Sequence, residues 1–170
     1  MKSDGRLMEM LTGYAAAHQH PLNIFVHLIG IPMIMLGVLI PCTWLGFEIA
    51  GFSILAAHML LLGFLLCYMT LDWLFAVAFG IGAYLLLLLA IELGSLPGYS
   101  GWIIAGSCFF GGYVAQFIGH AVEKSMPVLI KHPIQASLAA PFFTIVELFK
   151  LAGLREDLFN EVQQRIKAAR

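Results

Sequence analysis

The chain has 170 residues, of which 61% are apolar and only 11% charged, and its mean hydropathy of +0.90 excludes an ordinary water-soluble domain. Its length suits a single domain, and a formal net charge of −1 without a basic, aromatic-laced patch argues against a nucleic-acid partner. Cys42, Cys67 and Cys108 lie singly within apolar runs, so neither a disulfide framework nor a zinc knuckle is expected.

The first twenty residues contain acids, a tyrosine and two histidines, and lack the apolar core of a cleavable signal peptide. Leu7, Met8, Met10, Leu11 and Tyr14 make a rough helical stripe ahead of the first long apolar run. A hydrocarbon core of ~30 Å needs ~20 apolar residues per helix. Four stretches meet that need: Leu22 to Leu45, Gly51 to Leu71, Trp73 to Leu93 and Gly101 to Val122. Pro41 and Gly46 punctuate the end of the first, and the run from Leu96 to Gly101 reads as the loop before the fourth. Asp72 is the only charged residue between Gly51 and Ala90, which places it in the tight turn joining the second and third spans. From Met126 to Leu151 the apolar pattern is broken by Lys131, His132, Pro133 and Pro141, and an interfacial or re-entrant segment is expected there. Residues 154–170 read as a charged, solvated helix. The expected class is an all-α, four-span polytopic membrane protein. The absence of an internal repeat argues against a transporter built from inverted halves.

Six histidines are unevenly placed. His18, His20 and His27 cluster about the start of the first span, His120 lies near the end of the fourth, and His132 follows it. On the four-span topology these five share one side of the membrane, whereas His58 stands apart in the second span, where helix–helix hydrogen bonding is its expected role. Pro21 suits the first turn of a helix, with His20 before it, and Asn23 and His27 then share a face with His20. His120 and Glu123 share a face of the fourth helix. Neutral imidazoles beside a carboxylate suit iron, zinc or copper. From the residues alone a structural role stays open for each of them.

The stretch Tyr14-Ala-Ala-Ala-His18-Gln-His-Pro21-Leu-Asn23-Ile-Phe-Val-His27-Leu-Ile-Gly-Ile-Pro32 resembles the opening motif of the membrane-bound 2-hydroxy-fatty-acid dioxygenases. The run from Gln116 to His120 with Glu123, Lys124 and Pro127, and the block of Gln135, Ala140-Pro141-Phe142-Phe143 and Glu147, resemble that family's later motifs. The chain departs from the pattern at His20, where asparagine is usual, and in having His120 and Glu123 three rather than four apart. The resemblance implies an Fe(II)-dependent dioxygenase of fatty acid α-oxidation, which takes a long-chain 2-hydroxy fatty acid and O₂ to the acid one carbon shorter. It implies iron ligation by His18, His27 and His120, with His20 as a candidate fourth ligand. Glu123 would complete the site or orient a ligating imidazole. Asn23 and Gln135, and less directly Tyr14, would bond the substrate head group or a ligand. The competing readings are a non-enzymatic membrane protein with structural histidines and a metal or proton carrier.

All nine Lys and Arg residues lie outside the interval from Leu7 to Glu123, so the positive-inside rule puts both termini in the cytoplasm and requires an even number of crossings. Tags at either end are therefore expected to resist membrane-impermeant reagents in intact cells. An externally labelled terminus would overturn this arrangement.

Overall fold

The computed structural model describes residues 5–17, 20–124 and 133–168. These form α1 (Gly5–Ala17), α2 (Pro21–Thr43), a hairpin of β1 (Gly46–Ile49) and β2 (Phe52–Leu55), α3 (Ala56–Met69), α4 (Trp73–Gly94), α5 (Ser100–Val122), α6 (Pro133–Leu151) and α7 (Glu156–Ala168). The three long helices have 23, 22 and 23 residues. At 1.5 Å per residue each is about 33–35 Å long, enough to cross a bilayer. Their outer faces expose Phe25, Val77, Ile81, Leu85, Ile103, Phe110 and Val114, an apolar band for lipid rather than water. The molecule is an all-α polytopic membrane protein with three or four candidate spans.

The helix starts are set by local chemistry. Pro21 occupies the first position of α2, and the Nδ1 of His20 accepts the Leu22 N–H at 3.2 Å. Asp72 begins α4 in the same way, its Oδ1 accepting the N–H groups of Leu74 and Phe75 at 3.0 and 3.1 Å. The expected second span departs from expectation at its first residues. Instead of a helix from Gly51, the chain makes an antiparallel hairpin with Phe47 opposite Ile54 and Glu48 opposite Ser53. Ala50 and Gly51 turn it with φ of 51° and 82°, both in the left-handed region that two-residue hairpin turns require. Alternating Phe, Ile and Ser residues suit a strand, a feature that an averaged hydropathy hides. The helix α3 then starts only at Ala56 and has 14 residues, about 21 Å, too short to cross alone.

α2 and α5 run antiparallel and touch backbone to backbone. A Cβ on Gly112 would lie 2.6 Å from the Gly30 carbonyl oxygen, and one on Gly37 would lie 2.6 Å from the Phe109 nitrogen. A Cβ on Gly119 would meet Val26 at 2.5 Å. These small residues recur every seven positions on both helices: Gly30 and Gly37 on α2, Ala105, Gly112 and Gly119 on α5. The far end of the bundle is closed by Trp44, whose indole N–H donates to the Gly94 carbonyl at 2.9 Å and whose ring packs on Trp102.

At the near end, where α2 and α4 begin, α1, α6 and α7 form a cap. α6 is no lipid-exposed span. It buries Phe142, Phe143 and Val146, and its Leu138 carbonyl accepts the Tyr68 hydroxyl at 2.7 Å. The chain bends by 109° between α6 and α7, with Gly153 and Arg155 at φ of 67° and 58°. Arg155 pairs with Asp72 at 2.5 Å and lies 4.8 Å above the Phe75 ring, which locks the bend onto the turn between α3 and α4. The expectation of a charged, solvated C-terminal helix is corrected on one face: Leu158, Val162 and Ile166, spaced by four, are buried with the α1 stripe of Leu7, Met8 and Leu11 in the hydrophobic core.

Gly106 and Gly112 on α5 make a paired test. Nothing lies within 4 Å of a Cβ on Gly106, so Gly106→Ala should be neutral or stabilising by up to about 1 kcal/mol through helix propensity. Gly112→Ala should destabilise by about 1–3 kcal/mol, because backbone atoms of α2 fill the space. Thermal unfolding of both variants in one detergent reads the difference, and equal midpoints would contradict the close helix contact.

Candidate active site

The α2–α5 contact brings His27 and His120 together. Their ring centroids are 5.1 Å apart and nearly perpendicular, and each residue is only 6% exposed. The Nδ1 of His27 lies 2.8 Å from the carbonyl oxygen of Asn23. A carbonyl can only accept, so this nitrogen carries a proton, and in the neutral ring Nε2 keeps the lone pair that a metal needs. With each ligating nitrogen about 2.1 Å from a metal, rings at this separation have the spacing of two neighbouring ligands.

Behind the histidines lies a polar clamp. Asn23 is fully buried, and its side-chain amide donates to Oε2 of Glu123 in a short hydrogen bond. The other carboxylate oxygen of Glu123 accepts the backbone N–H of His20 at 3.0 Å. This carboxylate sits where the first N–H groups of α2 have no helical partner, the place where a helix dipole favours negative charge. It therefore fastens the end of α5 to the start of α2, one turn from each buried imidazole.

A cavity of about 440 Å³ opens beside the pair. Tyr14, His27, Gln116 and His120 form its polar end, and it continues between α2, α3 and α6 among apolar side chains. Tyr14 stacks on Phe143, with centroids 3.8 Å apart and planes at 9°. Burial, reinforced by the carboxylates of Glu147 and Glu123, pushes its phenol well above the ordinary tyrosine range. It stays a protonated hydrogen-bond donor. Gln116, one turn before His120, has a buried Nε2 with no acceptor among the described residues. An unmet buried donor costs about 1–3 kcal/mol, which is tolerable where a ligand supplies the acceptor.

The sequence-predicted residues thus divide. His27 and His120 meet on the cavity wall with Tyr14. Asn23 and Glu123 stand behind that wall, bonded to each other. His20 is exposed, with its Nδ1 engaged as the α2 cap. His58 is far from this cluster in the first turn of α3, where its Nδ1 accepts the Leu55 N–H at 3.0 Å; it caps its own helix rather than joining two. His18, His132 and the Gln135 side chain lie outside the described residues. Among the described residues no three His, Cys, Asp or Glu side chains converge as a metal site, so the described donor set is the imidazole pair. As neutral imidazoles, with the His27 ring held by a backbone carbonyl, the pair fits a divalent transition metal. Gln116 was missed as a site residue; the signal was a lone amide on the His120 face of an apolar helix.

A family model described as Mpo1-like, 2-hydroxy-palmitic acid dioxygenase, matches residues 5–151, a span that includes every residue of the cavity's polar end. No curated protein and no solved structure matches the chain.

The His20 cap separates two roles for that residue. His20→Asn should keep α2 stable to within a few tenths of a kcal/mol, because asparagine caps well, whereas His20→Ala should cost about 1 kcal/mol. If His20 serves only as a cap, His20→Asn also keeps its full metal content. Elemental analysis showing metal loss in a stable His20→Asn protein would make His20 a ligand.

Proposed function

We propose that this chain, which belongs to the Mpo1-like 2-hydroxy-palmitic acid dioxygenase family, oxidises a long-chain 2-hydroxy fatty acid with O₂ to the fatty acid one carbon shorter. The observation that carries the proposal is the cavity itself, which joins two buried imidazoles to a long apolar pocket inside a membrane bundle. An acid with a polar head and a saturated tail matches that division. The atoms balance when the lost carbon leaves as carbon dioxide with one water, O₂ being the oxidant.

His27 and His120 would hold Fe(II), with His18 as a further ligand and His20 as a candidate. When bound, that ion would supply Lewis acidity toward the oxygens of the substrate head group and the electrons that activate O₂. The remaining work falls to the protein. The Asn23 carbonyl fixes the His27 ring and its tautomer. The Asn23–Glu123 clamp keeps the two helices in register, so the imidazoles do not drift apart. The Gln116 amide donates to a substrate oxygen, and the Tyr14 hydroxyl, held protonated, donates to the head group from the cap side. The apolar walls exclude water from the reacting carbons.

Metal-loaded protein given 2-hydroxypalmitate without oxygen should leave it intact, and admitting O₂ should yield the acid one carbon shorter. His27→Ala and His120→Ala should each lose metal and turnover, while His58→Ala keeps both. Gln116→Leu should retain metal but lower kcat/KM about 10-fold, as expected for one lost hydrogen bond to a charged group. Unchanged substrate with O₂ and fully loaded protein would sink the dioxygenase reading.

A further inference from the structure

The cavity has an inner, apolar end that the imidazole pair does not explain. At its polar end Gly13 is exposed and Phe117 is 48% exposed, so the mouth lies beside the cap. At the opposite end Leu39 of α2 is 1% exposed and Leu61 of α3 is 8% exposed, with Val38 and Leu60 beside them on the wall. His27, Ile31, Ile34 and Val38 lie on one continuous face of α2, at intervals that keep the same side of a helix turned to the cavity, with Leu39 at its flank.

We propose that Val38 and Leu60, backed by Leu39 and Leu61, form a stop that limits the length of acyl chain the site accepts. This rests on the reading above that the head of the acid lies at His27 and His120. From His27 to Val38 is eleven residues of helix, about 17 Å. A fully extended saturated chain advances about 1.2 Å per bond, as the extended backbone does over its three bonds per residue. The stop is therefore met after about fourteen bonds, near the fifteenth carbon. Shorter acids leave the end of the pocket unfilled and lose about 3–4-fold in affinity per missing methylene. Longer acids meet packed side chains. The late start of α3 contributes to this: its first helical residue is Ala56, so Leu60 and Leu61 lie just over one turn from the end of the hairpin.

The test uses the full-length, metal-loaded protein in lipid nanodiscs. Saturated acids from decanoic to behenic compete with a fluorescent fatty acid for binding, and the matching 2-hydroxy acids are assayed for turnover. Val38→Phe and Leu60→Phe should each lower the longest well-bound chain by about three carbons, and Leu60→Ala should raise it by about two. Ile103→Phe, on the lipid face, should leave it unchanged. If a phenylalanine variant fails to fold, Leu60→Ala still carries the opposite sign. An identical cutoff in every folded variant, with turnover retained, would remove the stop and leave the dioxygenase reading intact. Cutoffs that shift as expected, with no 2-hydroxy acid consumed, would establish the stop and remove the reaction. Failure of every acid to bind would overturn both.

Discussion

The contact on which the rest depends is the backbone approach of α2 and α5. Lipid tails are as apolar as leucine, so helices in a membrane gain little from burying leucine against leucine. They associate through close packing and polar contacts instead. Here Gly30 faces Gly112, and Gly37 faces the turn holding Ala105 and Phe109, so that backbone atoms of the two helices approach directly. Such an interface has little slack. Residues placed one turn beyond it, His27 and His120, inherit their separation from the backbones. The Asn23–Glu123–His20 clamp then closes the same pair of helices at their polar ends. The packing and the site are one construction.

The cap supplies what two helices cannot. α6 carries Phe142 and Phe143 into the bundle against Tyr68 and Tyr14, and so forms the third wall of the cavity. Its Glu147 is buried and pairs with Lys150 at 3.4 Å, and the same carboxylate helps keep the Tyr14 phenol protonated. The cap is tied to the bundle through Arg155 and Asp72. That pair is partly buried, with side chains 24% and 8% exposed, and combines a charge-assisted hydrogen bond with a ring contact. It counts for more than a solvent-exposed pair such as Arg165–Glu161, whose geometry is held by two mobile side chains.

Much of this was legible in the sequence where the physics is local or periodic. The spans at α2, α4 and α5 follow from length and hydropathy, and their observed ends lie within a few residues of expectation. His20 before Pro21 signalled the α2 cap, and Asp72 the start of α4. The hairpin was hidden because Phe47, Ile49, Phe52 and Ile54 raise mean hydropathy as a helix would; only the period of two and the Ala50–Gly51 turn distinguish it. The packed face of α7 was masked by its charges, although Leu158, Val162 and Ile166 already stood four apart. The pairing of His27 with His120 rests on helices nearly a hundred residues apart in sequence. Topology could place them on one side of the membrane, but only the glycine contacts bring them to 5.1 Å. Gln116 was overlooked because an amide has neither charge nor metal affinity, and its importance comes from having no acceptor among the described residues.

The direction of the cavity has a consequence for supply. Its polar mouth lies at the end of the bundle where α2 and α4 begin, and its apolar part descends alongside α2 toward the bilayer centre. A fatty acid floating in the adjoining leaflet has the same posture, with its carboxylate at the surface and its tail pointing inward. For the proposed substrate, loading is then a sideways slide at constant depth, with no inversion of the molecule and no passage of its charge through hydrocarbon. An acid in the opposite leaflet would face the end where the Trp44 indole bonds the Gly94 carbonyl, and would reach the site only after flipping across the membrane. On the proposed function, the protein would then draw its substrate from one monolayer, and its output would depend on which side of the membrane that substrate is released.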